Sequence, residues 1–279
     1  SRKASNLSLK EEIISNPIDK IESLTELSAF IRFSGNIKKN KITLTMENAA
    51  VARRIYKDIK SNFGINIKIT VRNQKRFRVK QIYILEIHEN IDNILETLNI
   101  LKDGKKTLPS EFFIESREDK ISFLKGAFLA CGSINDPSSA GYHFEYTSSI
   151  KKEGIYLQQL LKEFNIISKV LKRNSHYMIY VKSAEMISEL IRLFGANNCF
   201  FYFEDIRIYR DHKNMVNRLN NCEIANQEKT TITGLKQLED IEYLKKHDLI
   251  GLLDERIQEV IEYRLKYPET SYQELAEIV

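Results

Sequence analysis

The chain has 279 residues, of which 42% are hydrophobic and 29% charged, a balance typical of an ordinary globular protein with one large domain and one small one. No apolar run approaches the roughly 20 residues that span a membrane, and the first residues form no signal peptide. Three dispersed cysteines, Cys131, Cys199 and Cys222, indicate neither a disulfide framework nor a metal site. We therefore expect a cytoplasmic protein without a membrane contact, a cofactor or a metal.

The net charge of +5 is unevenly distributed. From Asn226 onward, twelve acidic residues outnumber seven basic ones, whereas 36 basic residues outnumber 26 acidic ones before that position. The positive excess on the first 225 residues favours an anionic partner for that part of the chain.

After a lead-in over residues 1–20, the same series of predicted elements occurs twice, over about 21–101 and 117–195. Each series is a helix, two strands, an amphipathic helix, two strands and a closing helix. The first series is predicted at 21–34, 36–37, 41–46, 49–63, 65–71, 77–87 and 92–101. The second series is predicted at 117–131, 133–135, 142–147, 152–164, 167–172, 177–181 and 184–194. The segment 102–119 contains Gly104 and Pro109 and is predicted to link the halves of a body that spans 21–200.

The remaining chain is predicted to be helical. A polar helix over about 203–225 lies in a connecting segment, 201–226. A small domain follows over 227–279, with helices predicted at 229–246 and 254–267. Ser271 and Glu274 then form a capping box that opens a further helix.

The first helices of the two series share a nine-residue block that begins with leucine, has a small third residue and ends with glycine. These blocks run from Leu27 to Gly35 and from Leu124 to Gly132, and the small residues are Ala29 and Gly126. We expect the closing glycines to adopt the left-handed conformation that ends many helices. The small residues allow the two helices to cross with their backbones in close approach.

This duplication resembles the LAGLIDADG homing-endonuclease fold, and the segments 125–143 and 217–226 resemble the WhiA family of bacterial DNA-binding regulators. The resemblance extends to the last residue. It implies an α+β fold: a pseudo-two-fold duplicated LAGLIDADG-like body followed by an all-α helix-turn-helix domain. It also implies a nucleoid-associated transcriptional regulator of cell division, chromosome segregation or sporulation. In the family pattern the helix at Ser271 precedes the turn, so we expect the recognition helix to follow Val279 and the domain here to be truncated.

A LAGLIDADG nuclease needs a carboxylate one residue before each closing glycine, where divalent ions are held against the DNA. Those positions are Ser34 and Cys131 here, and a hydroxyl and a thiol are poor ligands for magnesium. We therefore predict an inactive nuclease fold that is not an enzyme. Asp136 follows the second block in a turn and is interpreted as structural. A metal-dependent homing endonuclease remains the first alternative.

Six basic residues and no acid lie between Gly64 and Leu85. The resemblance places these strands where the fold holds double-stranded DNA, here promoter regions, and basic side chains there would contact phosphates. The predicted DNA contacts on the two sheets are Arg72, Lys75, Arg76, Arg78, Lys80, Lys172 and Arg173. The second alternative is that this face binds a protein, such as another transcription or division protein.

The segment 217–226 matches the family's signature at the junction of body and tail. Asn217 and Arg218 are predicted to contact the DNA backbone. Asn221, Glu223 and Asn226 are predicted to form a hydrogen-bonded joint between the domains. Because the internal duplication completes the fold within one chain, we expect a monomer.

Overall fold

The structure is a computed structural model, and it describes residues 6–74, 80–139 and 141–279. The chain divides into two compact units, Ser1–Arg207 and Ile208–Val279. Within the described residues, no helix is both long enough and apolar enough to cross a membrane.

The first unit contains two four-stranded antiparallel sheets and the helices that cover them. Its helices are α1 (Asn6–Ser15), α2 (Lys20–Ser34), α3 (Ala49–Phe63), α4 (Ile91–Thr97), α5 (Arg117–Cys131), α6 (Lys151–Glu163) and α7 (Ala184–Leu193). Its strands are β1 (Gly35–Lys38), β2 (Lys41–Met46), β3 (Ile67–Gln74), β4 (Lys80–Ile87), β5 (Leu101–Lys102), β6 (Lys105–Lys106), β7 (Gly132–Ile134), β8 (Phe144–Ser148), β9 (Lys169–Arg173) and β10 (His176–Val181). The sheet orders β1-β2-β4-β3 and β7-β8-β10-β9 are the same, which confirms the predicted duplication.

The two repeated helices, α2 and α5, pack against each other at the centre of this unit. At Gly126 an added Cβ would lie 2.2 Å from the carbonyl oxygen of Glu26 and 3.0 Å from the Cβ of Ala29. The two backbones are therefore in van der Waals contact, and only a residue without a side chain fits at this crossing. The predicted close approach is confirmed.

The prediction that the closing glycines are left-handed was wrong. Gly35 has φ −73° and ψ 129°, and Gly132 has φ −84° and ψ 151°, so both are extended. Each helix passes directly into a strand. Glycine is required there for space, because a Cβ at Gly35 would lie 2.4 Å from the carbonyl oxygen of Ile31 and one at Gly132 would lie 2.1 Å from the Phe128 ring.

The end of the first half also differs from the prediction. The closing helix α4 stops at Thr97, and the expected linker begins with the short β5–β6 hairpin. Arg32 explains this change, because its buried guanidinium donates to the carbonyls of Asn99 and Thr107, both at 2.7 Å. The hairpin is thereby attached to α2 by a residue far away in sequence.

One helix, α8 (Asn197–Lys246), replaces the two helices predicted at 203–225 and 229–246. It runs from the first unit into the second. The residues between the two predicted helices, 226–228, are Asn, Gln and Glu, which include neither a proline nor a glycine to interrupt the helix.

The second unit packs the later part of α8 against α9 (Glu255–Lys266) and α10 (Tyr272–Ile278). A Cβ at Gly234 would lie 2.6 Å from the carbonyl oxygen of Pro268, so α8 closely contacts the α9–α10 connection. Buried Arg264 donates to the carbonyl of Thr270 at 2.6 Å. The predicted capping box of Ser271 and Glu274 is present.

Candidate nucleic-acid interface

The two positions where a homing endonuclease carries metal-binding carboxylates lie at the ends of α2 and α5. The Ser34 hydroxyl donates to the carbonyl of Phe30 at 2.6 Å, within its own helix. At the other position, burial raises the pKa of the Cys131 thiol to about 12, although a hydrogen bond to Thr147 and the nearby Lys10 ammonium oppose this increase. Cys131 is therefore a neutral thiol near pH 7.

The Lys10 ammonium further disfavours a divalent cation near Cys131, because like charges repel. Within the described residues, no group of three or more His, Cys, Asp or Glu side chains could hold a metal ion. The groups present at the ends of α2 and α5 do not fit the magnesium site of a nuclease.

The outer face of the first sheet is the face opposite the buried Leu85 and Ile87. Arg72 and Lys80 are exposed on this face, where Arg72 pairs with Ile82 and Lys80 pairs with Gln74. Both are among the predicted DNA contacts. Lys75, Arg76 and Arg78 lie outside the described residues.

The strand registers define equivalent positions in the two sheets. Gly35 pairs with Leu44 as Gly132 pairs with Tyr146, and Leu44 and Tyr146 in turn pair with Leu85 and Ile179. Following the same registers to the edge strands makes Arg72, opposite Ile82, equivalent to Arg173, opposite His176. Each outer face thus carries one exposed arginine at the same place.

Lys172 lies on the other face of the second sheet. It pairs with Tyr177 and is equivalent to Val71, on the side of the buried Ile179. Its Nζ lies 6.0 Å from the Tyr177 ring centroid. Lys172 and Arg173 therefore do not share a face, because adjacent residues of a strand point to opposite faces, and the contact of Lys172 with DNA stays a prediction.

Two acidic residues on the outer faces were missed in the sequence. Glu86 lies within 4 Å of two lysines, Lys41 at 3.8 Å and Lys68 at 3.9 Å. On the second sheet, Glu145 lies 3.1 Å from the Nε2 atom of His143. Counting charges only as far as Leu85 left Glu86 out. Lys80 in turn lies 3.4 Å from the Glu47 carboxylate. Among the described residues, the positive charge of the first sheet without an acidic partner is therefore concentrated near Arg72 rather than near its centre.

The signature segment lies on the middle of α8, where every residue from 211 to 229 is exposed. This segment includes Asn217, Arg218, Asn221, Glu223 and Asn226. In the part of the chain that the structure describes, none of these five side chains makes a hydrogen bond. Their assigned roles in DNA contact and in the interdomain joint therefore stay predictions.

Family models cover nearly the whole chain: the WhiA N-terminal LAGLIDADG-like domain matches 20–101, the WhiA LAGLIDADG-like domain matches 120–213 and the WhiA C-terminal HTH domain matches 216–279. The chain is 38% identical over 277 residues to a "Probable cell division protein WhiA" of Bacillus velezensis, covering 97% of this chain and 87% of the relative. The chain belongs to the WhiA family. The Bacillus subtilis WhiA of the same description is 39% identical over 261 residues, which is 91% of this chain and 82% of the relative.

A solved structure of full-length WhiA from Thermatoga maritima has the same fold, with a TM-score of 0.62 and 23% identity over 99% of this chain and 91% of that one. The N-terminal LAGLIDADG domain of WhiA, also solved, matches 70% of this chain and 92% of that one with a TM-score of 0.56 and 21% identity. The predicted α+β class, with a LAGLIDADG-like body and a helix-turn-helix domain, is confirmed.

Proposed function

We propose that this member of the WhiA family is a regulator that binds double-stranded DNA without cutting it. The observation that carries this proposal is the matched pair of exposed arginines, Arg72 and Arg173, at equivalent positions of the two outer faces. Two equivalent guanidinium groups suit a duplex, since its two phosphate backbones are themselves related by local two-fold symmetry.

We assign different DNA contacts to the two units. Contacts of arginine to phosphate orient a protein on the duplex but carry no sequence information. A helix-turn-helix domain reads base edges in the major groove through its recognition helix, and the second unit matches the WhiA C-terminal HTH domain. We expect the first unit to raise the affinity for DNA and the helix-turn-helix domain to select the promoter sequence, on the DNA of the nucleoid.

Binding without cleavage is supported by the chemistry at Ser34 and Cys131. Hydrolysis of a phosphodiester by this fold requires ions held between carboxylates, and neither side chain supplies one. The family's descriptions, which name probable cell division proteins, make cell division genes the first targets to test.

The second candidate is a scaffold that holds a protein on its outer faces. Glu86 and Glu145 favour it, because acids on a DNA-facing surface repel phosphate. Lys41 and Lys68 beside Glu86 offset this charge on the first sheet, which keeps DNA as the better-supported partner.

The test measures DNA affinity across a salt series, with the double variant Arg72→Glu and Arg173→Glu. Loss of two phosphate contacts should flatten the dependence of log affinity on log salt by about 0.9 per contact. The control is Lys152→Glu with Lys162→Glu, an equal charge change on the exposed side of α6. Equal losses in both double variants would mean that only net charge matters and that the outer faces do not bind DNA.

A further inference from the structure

A cavity of about 620 Å³ lies at the start of α2, beside α3. One wall is the end of α1 and its connection to α2, with Ile14, Pro17 and Ile18, and the other is α3. Its volume falls in the range of small-molecule sites, roughly 300–1,000 Å³.

Arg54 of α3 holds the first wall, from the end of α1 to the start of α2, in place. Its guanidinium forms a bidentate pair with buried Glu26 at 2.6 and 3.0 Å. The same guanidinium donates to the carbonyls of Ile14 and Asn16 at 2.9 and 3.3 Å. Since Arg54 is fully engaged, it shapes the cavity and is not free to bind a ligand.

Asp58 lines the cavity from α3 and is only 7% exposed. Its Oδ2 atom is buried and has no hydrogen-bond partner among the described residues. An unpaired buried carboxylate is costly to a folded protein. The Asp58 carboxylate therefore has unused acceptor capacity, which a ligand in the cavity that Asp58 lines would engage by donating a hydrogen bond.

Three cationic side chains and one carboxylate lie at the exposed edge of the same cavity; the carboxylate, Asp19, caps α2 by accepting from the Glu22 N–H at 2.7 Å. Arg53 and Lys57 project from successive turns of α3, and Lys20 lies at the start of α2. The cavity therefore combines a buried acceptor, apolar side chains and a cationic rim. These three features match an N–H donor, a flat ring and a phosphate on one small molecule.

We propose that this cavity binds a guanine nucleotide, with the base edge on Asp58 and the phosphate on Arg53 and Lys57. The edge of guanine presents two adjacent N–H donors that suit a carboxylate. Adenine presents an amine next to a ring nitrogen acceptor, which repels a carboxylate. Pro17 and Ile18 offer apolar surface for the ring.

The test is calorimetric titration of the full chain with guanosine monophosphate, adenosine monophosphate and inorganic phosphate. We expect guanosine monophosphate to bind at least tenfold more tightly than either of the others. Equal binding of the two nucleotides, or no binding of guanosine monophosphate at millimolar concentration, would overturn the proposal.

Substitutions then locate the site. Asp58→Asn should weaken guanosine monophosphate at least tenfold and improve xanthosine monophosphate, because an amide matches the adjacent N–H and C=O of xanthine. The control Asp92→Asn removes an exposed carboxylate on α4 and should change neither affinity. If Asp58→Asn folds normally by urea unfolding and binds guanosine monophosphate as before, the cavity is not the site.

The phosphate contact is tested with the double variant Arg53→Gln and Lys57→Gln. It should weaken guanosine monophosphate severalfold while leaving guanosine, which lacks the phosphate, unchanged. An equal effect on guanosine and its monophosphate would contradict the assigned orientation.

Discussion

Arg72 and Arg173 occupy the same position in the two sheets of the body, each on the edge strand, opposite Ile82 and His176 respectively. The residues just before these arginines, Lys172 and Val71, are also equivalent, but they lie on the other face and differ in charge. The two outer faces therefore carry an arginine at one equivalent position, and the same registers make Lys68 equivalent to Lys169 four residues earlier on each edge strand.

Adjacent residues on opposite faces allow a stringent test of DNA binding. Arg173→Glu should weaken affinity for duplex DNA and flatten the log–log salt dependence by about 0.9. Lys172→Glu makes the same charge change one residue away and should leave that slope unchanged. Fluorescence anisotropy at several salt concentrations measures both, and similar slopes for the two variants would argue against a contact at Arg173.

The raised pKa of Cys131, about 12, predicts its chemical behaviour. Because only the thiolate reacts with an alkylating agent, Cys131 should stay unmodified by iodoacetamide at pH 8 while the protein is folded. Exposed Cys222 is the internal control and should be modified. Mass spectrometry of the peptides reports both, and rapid alkylation of Cys131 would show that a thiolate is accessible there.

The contact between α2 and α5 predicts a strong size limit at Gly126. A Cβ there would lie 2.2 Å from the carbonyl oxygen of Glu26, so Gly126→Ala must push the helices apart. Overpacking of this kind costs about 1–3 kcal/mol or more, measured as the free energy of unfolding in urea. Gly141→Ala is the control, because no atom lies within 4 Å of its added Cβ; equal stability of the two variants would contradict the tight crossing.

Asp58 makes the stability of the first unit depend on pH. Burial, reinforced by Glu26 and opposed by Arg54 and Lys57, raises its pKa from 3.8 to about 7. The folded protein thus binds a proton that the unfolded chain has lost, so the free energy of unfolding should fall as pH rises from about 4 to about 7 and stay low above that.

Asp58→Asn cannot ionise and should remove this part of the pH dependence, which makes the variant more stable than the unmodified protein at pH 8. Urea unfolding at pH 5 and pH 8 measures the difference. If the variant loses the same free energy of unfolding at both pH values, ionisation of Asp58 does not destabilise the folded protein.

Local patterns determined much of the architecture from the sequence alone. The helices predicted at 49–63 and 117–131 match α3 and α5, because their caps and apolar spacing lie within the segments themselves. The twofold series of elements and the resemblance to the WhiA family were also visible there. The absence of carboxylates at Ser34 and Cys131 followed from aligning the repeat with the LAGLIDADG pattern that it resembles.

The tertiary structure decided the features that depend on partners distant in sequence. Pairing between strands set the register, and a shift of one residue moves a side chain to the other face, which is why Lys172 and Arg173, adjacent in the sequence, lie on opposite faces. The direct passage of α2 and α5 into β1 and β7 required extended glycines at positions where a helix end alone favours left-handed ones. Packing of the α1–α2 connection against α3 buried Asp58, and no local pattern marks an aspartate that only distant residues remove from water.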